Sequence, residues 1–228
     1  MSVILLDGLV AVGLVLEAAL IFLILQGKAV RAYPVLFSYA ICQFLANVVE
    51  TLLLRGPGRQ SSIYVTLYWT DEMVLDTLLF LTVITLTYKA LLDKPNRGAA
   101  ARLLGIIVGV VLLLPFILYY ERGIFSNKWF RGAGQELHFG AAIMNLALWT
   151  ALIGMRPRDG QLLVVSLGVG LTATGGALFY GVFQYTSGTI REIVDLLLSL
   201  TQALSVLICC WAFWATKSRA ALLPNTNP

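Results

Sequence analysis

The sequence has few charged residues. Only 12% of its 228 residues are Asp, Glu, Lys or Arg, which is about half the share typical of a soluble domain. With 59% hydrophobic residues and a mean hydropathy of +0.84, too little polar surface is left to cover a water-facing globule. We therefore expect lipid to surround most of the exterior.

Several kinds of site are excluded because their residues are missing. The three cysteines lie in apolar segments, which is typical of packed small side chains and not of disulfides or a metal cluster. A single histidine, His138, is too little for a zinc or haem site. The last apolar segment holds no lysine for a retinal Schiff base, and no P-loop, nucleophile elbow or zinc-protease motif occurs. We expect a protein that is not an enzyme and holds no metal or cofactor.

The apolar residues form seven segments of about 20 residues without strand-like alternation, which predicts membrane-spanning helices. The segments are 3–25, 34–54, 64–91, 103–120, 137–154, 162–183 and 190–215. The first has no basic start and carries Asp7 and Glu17, so we expect a retained span and not a signal peptide. The predicted fold is an all-α, polytopic seven-helix domain over residues 1–216, with a short cytoplasmic tail over 217–228. The predicted location is the cytoplasmic (inner) membrane, crossed several times.

The net charge of +4 comes from basic residues in short connectors, so we expect no nucleic-acid partner. Ten of the 16 Lys and Arg residues fall in connectors one, three and five and the C-terminal segment. The other six fall in connectors two, four and six. The bias predicts an N-terminus outside and a C-terminus inside.

Two spans differ from the others in composition, and two other spans open with similar sequences that indicate an internal repeat. The fourth span has almost no polar side chain, which suits a lipid-facing helix. The sixth holds five glycines, which indicates close packing against neighbouring helices. Similar acidic strings open spans three and seven, which fits a 3+1+3 parallel repeat with span four as linker.

Acidic residues gather near the predicted outer side, and helical spacing selects some of them. Glu72 and Asp76 are four residues apart and share a helix face, as do Glu192 and Asp195 at three apart. The two aspartates, one to two turns inside spans three and seven, need a partner, for which Arg191 is the first candidate and His138 the second. We predict an outward-facing polar pocket, walled by spans two, three, five and seven, in which the deep aspartates converge. The candidate ligand-binding residues are Tyr68, Trp69, Asp71, Glu72, Asp76, His138, Arg191, Glu192 and Asp195.

Two alternatives stand beside this pocket. Acidic side chains near helix ends also extend to the headgroups or favour a helix N-terminus, and an aromatic rim is typical of an ordinary membrane interface. An all-carboxylate Ca²⁺ or Mg²⁺ site of Asp71, Glu72, Asp76 and Asp195 is also conceivable. For Glu17, an interhelical hydrogen bond is a better explanation than a proton relay.

The string Tyr68-Trp69-Thr70-Asp71-Glu72 at the entry to span three resembles uncharacterised bacterial seven-helix membrane proteins. The layout is also similar to the seven-helix sensor regions that precede some histidine kinases. The resemblance implies sensing of a small ligand or lipid at the outer face, with the output carried by a protein partner or a homo-oligomer. A small-solute transporter that uses the same pocket, or a structural subunit of a membrane complex, is the alternative.

Overall fold

The computed structural model describes residues 3–55, 61–91, 97–120, 126–153, 159–183 and 189–222, and this part of the chain contains helices and no strands. The helices are α1 Val3–Gln26, α2 Pro34–Arg55, α3 Ser62–Leu91, α4 Arg97–Leu118, α5 Asn127–Ile153, α6 Gly160–Phe183 and α7 Thr189–Leu222, with a short 3₁₀ helix at Ala29–Arg31. Each of the seven α-helices contains a stretch long and apolar enough to cross a membrane. The prediction of an all-helical, seven-span fold is confirmed at this level.

The interior of the bundle is built around α3 and α6. Half of the side chains in the apolar stretch of each are buried, because α3 packs against α2, α5 and α6, while α6 packs against α3, α5 and α7. The first helix lies against α2 and α7. Among the described residues α4 touches only α3 and α5, and it is the least buried helix. Its exposed apolar surface is what a lipid-facing helix requires.

The glycines of α6 allow its neighbours to approach closely. A Cβ at Gly168 would lie 2.6 Å from Cys209 Sγ of α7, and a Cβ at Gly175 would lie 2.8 Å from Thr201 Cγ2. A Cβ at Gly176 would overlap the His138 ring of α5. The predicted role in close helix packing is confirmed at these three positions, since ordinary side chains there would push the helices apart, whereas a Cβ at Gly181 would meet open space.

The fifth helix begins ten residues earlier than predicted. The Trp129 backbone N–H donates to Ser126 Oγ at 3.2 Å, an N-terminal capping contact that starts the helix there. Trp129 is only 1% exposed and packs on Phe116 with ring centroids 5.0 Å apart. It is therefore an interior side chain of the bundle.

The last helix also extends further than predicted. It continues to Leu222, so the first residues of the predicted tail are helical, and residues 223–228 lie outside the described part. A favourable helix propensity in the Arg-Ala-Ala-Leu sequence allows this extension beyond the apolar stretch.

At the predicted inner end, one aromatic side chain connects three helices. Tyr33 follows the 3₁₀ helix and is buried. Its ring meets Phe213 of α7 edge-on at 5.4 Å, and Lys89 Nζ of α3 lies 3.7 Å from the ring centroid. Burial raises the pKa of Tyr33, so the phenol stays neutral and the contact with Lys89 is a cation–π interaction.

Candidate functional site

A cavity of about 90 Å³ lies inside the bundle, with lining side chains from five helices. Its polar lining comes from Glu72 and Asp76 of α3, His138 of α5, Tyr180 of α6, and Thr201 and Gln202 of α7. Tyr39 of α2 completes the wall together with leucines of α3 and α7. Such a concave space with a few convergent polar groups is the usual form of a small-molecule site.

The centre of this site is a pair between Asp76 and His138. His138 Nε2 lies 2.9 Å from Asp76 Oδ1, and each residue is only 6% exposed. A carboxylate in the middle of a membrane costs at least about 2.5 kcal/mol by insertion scales. The imidazole N–H therefore stabilises Asp76 at a depth where an unpaired carboxylate would be expensive.

A second acid lies one helical turn before the pair. Glu72 is four residues from Asp76 and faces the same cavity, and the Tyr180 hydroxyl donates to Glu72 Oε1 at 2.5 Å. The Tyr180 and His138 rings also touch, with centroids 5.3 Å apart. We call Glu72, Asp76, His138 and Tyr180 the carboxylate cluster. It joins α3, α5 and α6 through polar contacts.

Two glycines make room for the carboxylate cluster. A Cβ at Gly134 of α5 would lie 2.6 Å from Asp76 Oδ2, and a Cβ at Gly176 of α6 would overlap the His138 ring. Asp76 Oδ2 and His138 Nδ1 are buried and have no partner in hydrogen-bond geometry among the described residues. The backbone of Ala173 lies near enough to His138 to interact electrostatically. Buried polar atoms normally have a partner, so the Asp76 oxygen marks where a further donor would bind.

Three of the predicted ligand-binding residues meet in this cavity, namely Glu72, Asp76 and His138. Two others lie along α3 outside the lining. Asp71 Oδ1 accepts from the Glu72 backbone N–H, and Trp69 stacks on Phe130 with centroids 6.0 Å apart.

The predicted convergence of Asp76 with Asp195 was wrong. The Asp195 side chain is exposed and does not line the cavity. Among the described residues of α7, the lining ones are Leu198, Thr201 and Gln202. In the described residues α3 and α7 are not in contact, whereas α6 contacts both. Because Asp195 is exposed on the bundle, it does not bear the cost of burial in the protein interior that Asp76 offsets by pairing.

The remaining predicted residues have mixed outcomes. Tyr68 is half-buried beside Trp69 and Tyr64 and does not line the cavity. The side chains of Arg191 and Glu192 lie outside the described residues. Among the residues that are described, no three His, Cys, Asp or Glu side chains come together as a metal-binding set.

The sequence-based pocket omitted α6, which supplies Thr172, Gly176 and Tyr180 to the lining. Uncharged polar and small residues give no charge signal in a sequence, so the glycine content of α6 was the one available sign of an interior helix.

A second buried acid lies in α1. Asn47 Nδ2 of α2 donates to Glu17 Oε1 at 2.7 Å, which confirms the prediction of an interhelical hydrogen bond. Glu17 borders a separate, smaller cavity that shares the lining residues Tyr39, Leu79 and Thr172 with the larger one. The interior therefore holds two adjacent polar sites.

Seven candidate spans around these sites define a multi-pass membrane protein with a polar interior. The chain matches no protein-family model, no curated protein and no solved structure. Its function is therefore inferred from the residues of the cavity themselves.

Proposed function

We propose that the protein is a sensor-like membrane module that binds a small cationic ligand at the carboxylate cluster and relays binding to a partner. The ligand is an amine or ammonium ion that enters from the outer side. The observation that carries the proposal is a cavity with two carboxylates, one of which keeps a buried oxygen without a hydrogen-bond donor among the described residues.

The charges favour a positive ligand. When both carboxylates are ionised, the carboxylate cluster keeps a net charge of minus one even with His138 protonated. Among the described residues, no lysine or arginine lines the cavity. A bound ammonium group would supply both the missing positive charge and a donor to Asp76 Oδ2, in the form of a charge-assisted hydrogen bond.

The cavity volume limits the size of the ligand. About 90 Å³ is several times the roughly 10–15 Å³ that a single water-sized particle requires. Methylammonium fits this space, whereas a lipid acyl chain does not. Of the two predicted ligand classes, small solute or lipid, the cavity supports the small solute.

The proposed relay of ligand binding to a partner depends on the helices that the carboxylate cluster connects. Its four side chains come from α3, α5 and α6, and Thr201 and Gln202 of α7 face them across the cavity. A ligand that binds between these helices favours one packing arrangement over another by its differential affinity. The proposed outside location of the N-terminus places the cavity in the outer half of the bundle, and the proposed receiver is a protein partner or a second copy of the chain.

The test is ligand-dependent thermal stability of the purified protein in lipid nanodiscs, followed by intrinsic tryptophan fluorescence. Methylammonium chloride at constant ionic strength should raise the unfolding midpoint of the wild type and of Asp195→Asn, but not that of Asp76→Asn. A ligand that binds only the folded state stabilises it in proportion to the logarithm of its concentration above the Kd. An equal shift in Asp76→Asn, or no shift in the wild type, would exclude this site.

Asp76→Asn must remain folded for the comparison to be valid. Monodisperse gel filtration and a cooperative unfolding transition establish this. If Asp76→Asn fails either criterion, Tyr180→Phe serves instead, because it removes only the hydroxyl that donates to Glu72. This variant should retain the methylammonium shift with a changed half-saturation concentration, and an unchanged value would argue against binding at the carboxylate cluster.

The second candidate function is transport of the same class of solute. It is favoured by the adjacent Glu17 cavity, which continues the polar lining from the carboxylate cluster through Tyr39 and Thr172. The proposed 3+1+3 repeat would also suit alternating access. Accumulation of radiolabelled methylammonium in proteoliposomes, abolished by Asp76→Asn, would support the transporter over the sensor.

A further inference from the structure

Glu17 is a buried acid that the proposed ligand site does not use. It lies near the middle of the apolar stretch of α1 and is only 3% exposed. Asn47 satisfies Glu17 Oε1, but Glu17 Oε2 is buried and finds no hydrogen-bond partner among the described residues. Half of this carboxylate is therefore left unsatisfied in the membrane interior.

The unsatisfied carboxylate borders a cavity of about 20 Å³. This volume exceeds the roughly 10–15 Å³ that a single water-sized particle requires. The polar lining comes from Glu17, Tyr39, Gln43, Thr172 and Ser205, and no lysine, arginine or histidine in the described part of the chain belongs to it. The space therefore fits one small particle beside an uncompensated carboxylate.

The hydroxyl groups of this cavity present acceptors. Thr172 Oγ1 donates to Ser205 Oγ at 2.7 Å, and Ser205 Oγ donates to the Gly168 carbonyl at 2.6 Å. Because both protons are directed along this chain, the lone pairs of Thr172 Oγ1 are left for a donor or a cation. Oxygen ligands with one carboxylate are the chemistry that hard cations prefer.

Gln43 is the remaining polar side chain of the cavity. It is 2% exposed, and its amide nitrogen has no partner in hydrogen-bond geometry among the described residues, although the amide lies near enough to Glu17 to interact with it. A half-turn of the amide exchanges the positions of its oxygen and nitrogen without changing its shape. Gln43 can therefore supply either a donor to Glu17 or one more oxygen to the cavity.

We propose that Glu17, Gln43, Thr172 and Ser205 form a second site that binds one monovalent cation of the size of Na⁺. A single positive charge neutralises the single carboxylate, which would otherwise bear the cost of a lone charge in the membrane interior. A divalent ion would leave an excess positive charge and usually requires six or more oxygen ligands. The site has its own carboxylate and is distinct from the proposed ammonium site at the carboxylate cluster, although the two share part of their walls.

The test compares NaCl with N-methylglucamine chloride at equal ionic strength, using the purified protein in nanodiscs. Na⁺ should raise the unfolding midpoint of the wild type by several degrees in a saturable manner, because it binds only the folded state. Glu17→Gln, which keeps the shape and the acceptor for Asn47, should abolish the shift. Glu136→Gln is the matched control, since Glu136 bonds to Tyr119 and does not line this cavity.

A second variant keeps the test decisive if Glu17→Gln does not fold. Thr172→Val keeps the shape of the side chain but loses one oxygen ligand, and it should raise the Na⁺ concentration for half of the shift by about tenfold, the equivalent of one good hydrogen bond. No Na⁺ shift in the wild type, with a midpoint that depends on pH alone, would show that a proton occupies Glu17 and would overturn the proposal. An equal Na⁺ shift in Glu17→Gln would overturn it as well.

The proposals for the two binding sites can be contradicted independently of each other. Asp76→Asn should lose the methylammonium shift and keep the Na⁺ shift, whereas Glu17→Gln should show the opposite pattern. Loss of both shifts in Asp76→Asn, while its unfolding stays cooperative, would show one continuous site and would overturn the separate cation site.

Discussion

Replacing His138 by alanine should destabilise the protein more than any exposed substitution, because it leaves the buried Asp76 carboxylate without its partner. The two side chains are each 6% exposed and meet at 2.9 Å. Removing one partner of a buried pair typically costs about 3–5 kcal/mol. Asp76→Asn should cost less, since the amide oxygen can still accept from His138 Nε2.

A double-mutant cycle with His138→Ala and Asp76→Ala isolates the interaction itself, because each single change removes it. Hydrogen bonds to charged groups contribute about 1.5–3 kcal/mol, so the combined variant should be more stable by that amount than the sum of its two single changes implies. The measurement is reversible unfolding of wild type, both single variants and the double variant in mixed micelles. In a chain of 228 residues, each kcal/mol of unfolding free energy shifts the thermal midpoint by about 2–4 °C. The loss of about 3–5 kcal/mol in His138→Ala should therefore lower the midpoint by roughly 6–20 °C.

Asp195→Asn is the matched control, because it makes the same chemical change on a side chain that is exposed. It should change the free energy of unfolding by no more than about 0.5 kcal/mol. The pairing would be refuted by additive single changes, within about 0.5 kcal/mol of the double variant. It would also be refuted if Asp195→Asn cost as much as Asp76→Asn.

Three further predictions concern packing, a buried hydroxyl and topology. Gly176→Ala should destabilise the protein by about 1–3 kcal/mol, because it forces a methyl group against the His138 ring. In the same unfolding assay Gly109→Ala, whose methyl group meets open space, should be neutral or stabilising by up to about 1 kcal/mol. Tyr33→Phe should not lower the unfolding midpoint, because the Tyr33 hydroxyl has no partner among the described residues and the ring that meets Lys89 is kept, whereas Tyr33→Leu should lower it. Reporter fusions at successive connectors should alternate between outside and inside, and the fusion points are Arg59, Asn96, Lys128, Arg158 and Ser218. An outside signal at Ser218 would reverse the proposed orientation.

Hydropathy predicted the number of helices because each span is a long apolar run that no soluble element resembles. It placed the second and third spans within a few residues of their observed bounds. The start of α5 was missed because Gln135 and Glu136 interrupt the apolar run. In the bundle Glu136 accepts from the Tyr119 hydroxyl of the segment that follows α4, so a polar residue continues the helix where the sequence indicates a connector.

The candidate site was predictable only where one helix supplied the geometry. The four-residue spacing places Glu72 and Asp76 on one face of α3 whatever lies opposite. The partner of Asp76 could not be read in the same way, because which helices become neighbours depends on packing around the glycines of α6. Of the two partners that the sequence suggested, Arg191 first and His138 second, the structure pairs Asp76 with His138, while the side chain of Arg191 lies outside the described residues.

Glu17 and the carboxylate cluster belong to one interior, and this connection has a thermodynamic consequence. Tyr39, Leu79 and Thr172 line both cavities, so a particle that fixes these side chains in one cavity restricts the wall of the other. If occupation of the Glu17 site changes the affinity of the carboxylate cluster for its ligand, the ligand must change the cation affinity by the same factor. Couplings of about 1–3 kcal/mol are typical of such linked sites. Glu17 and Asp76, each of which is expensive to bury alone, would then respond together when a positive charge enters between α1, α3 and α6.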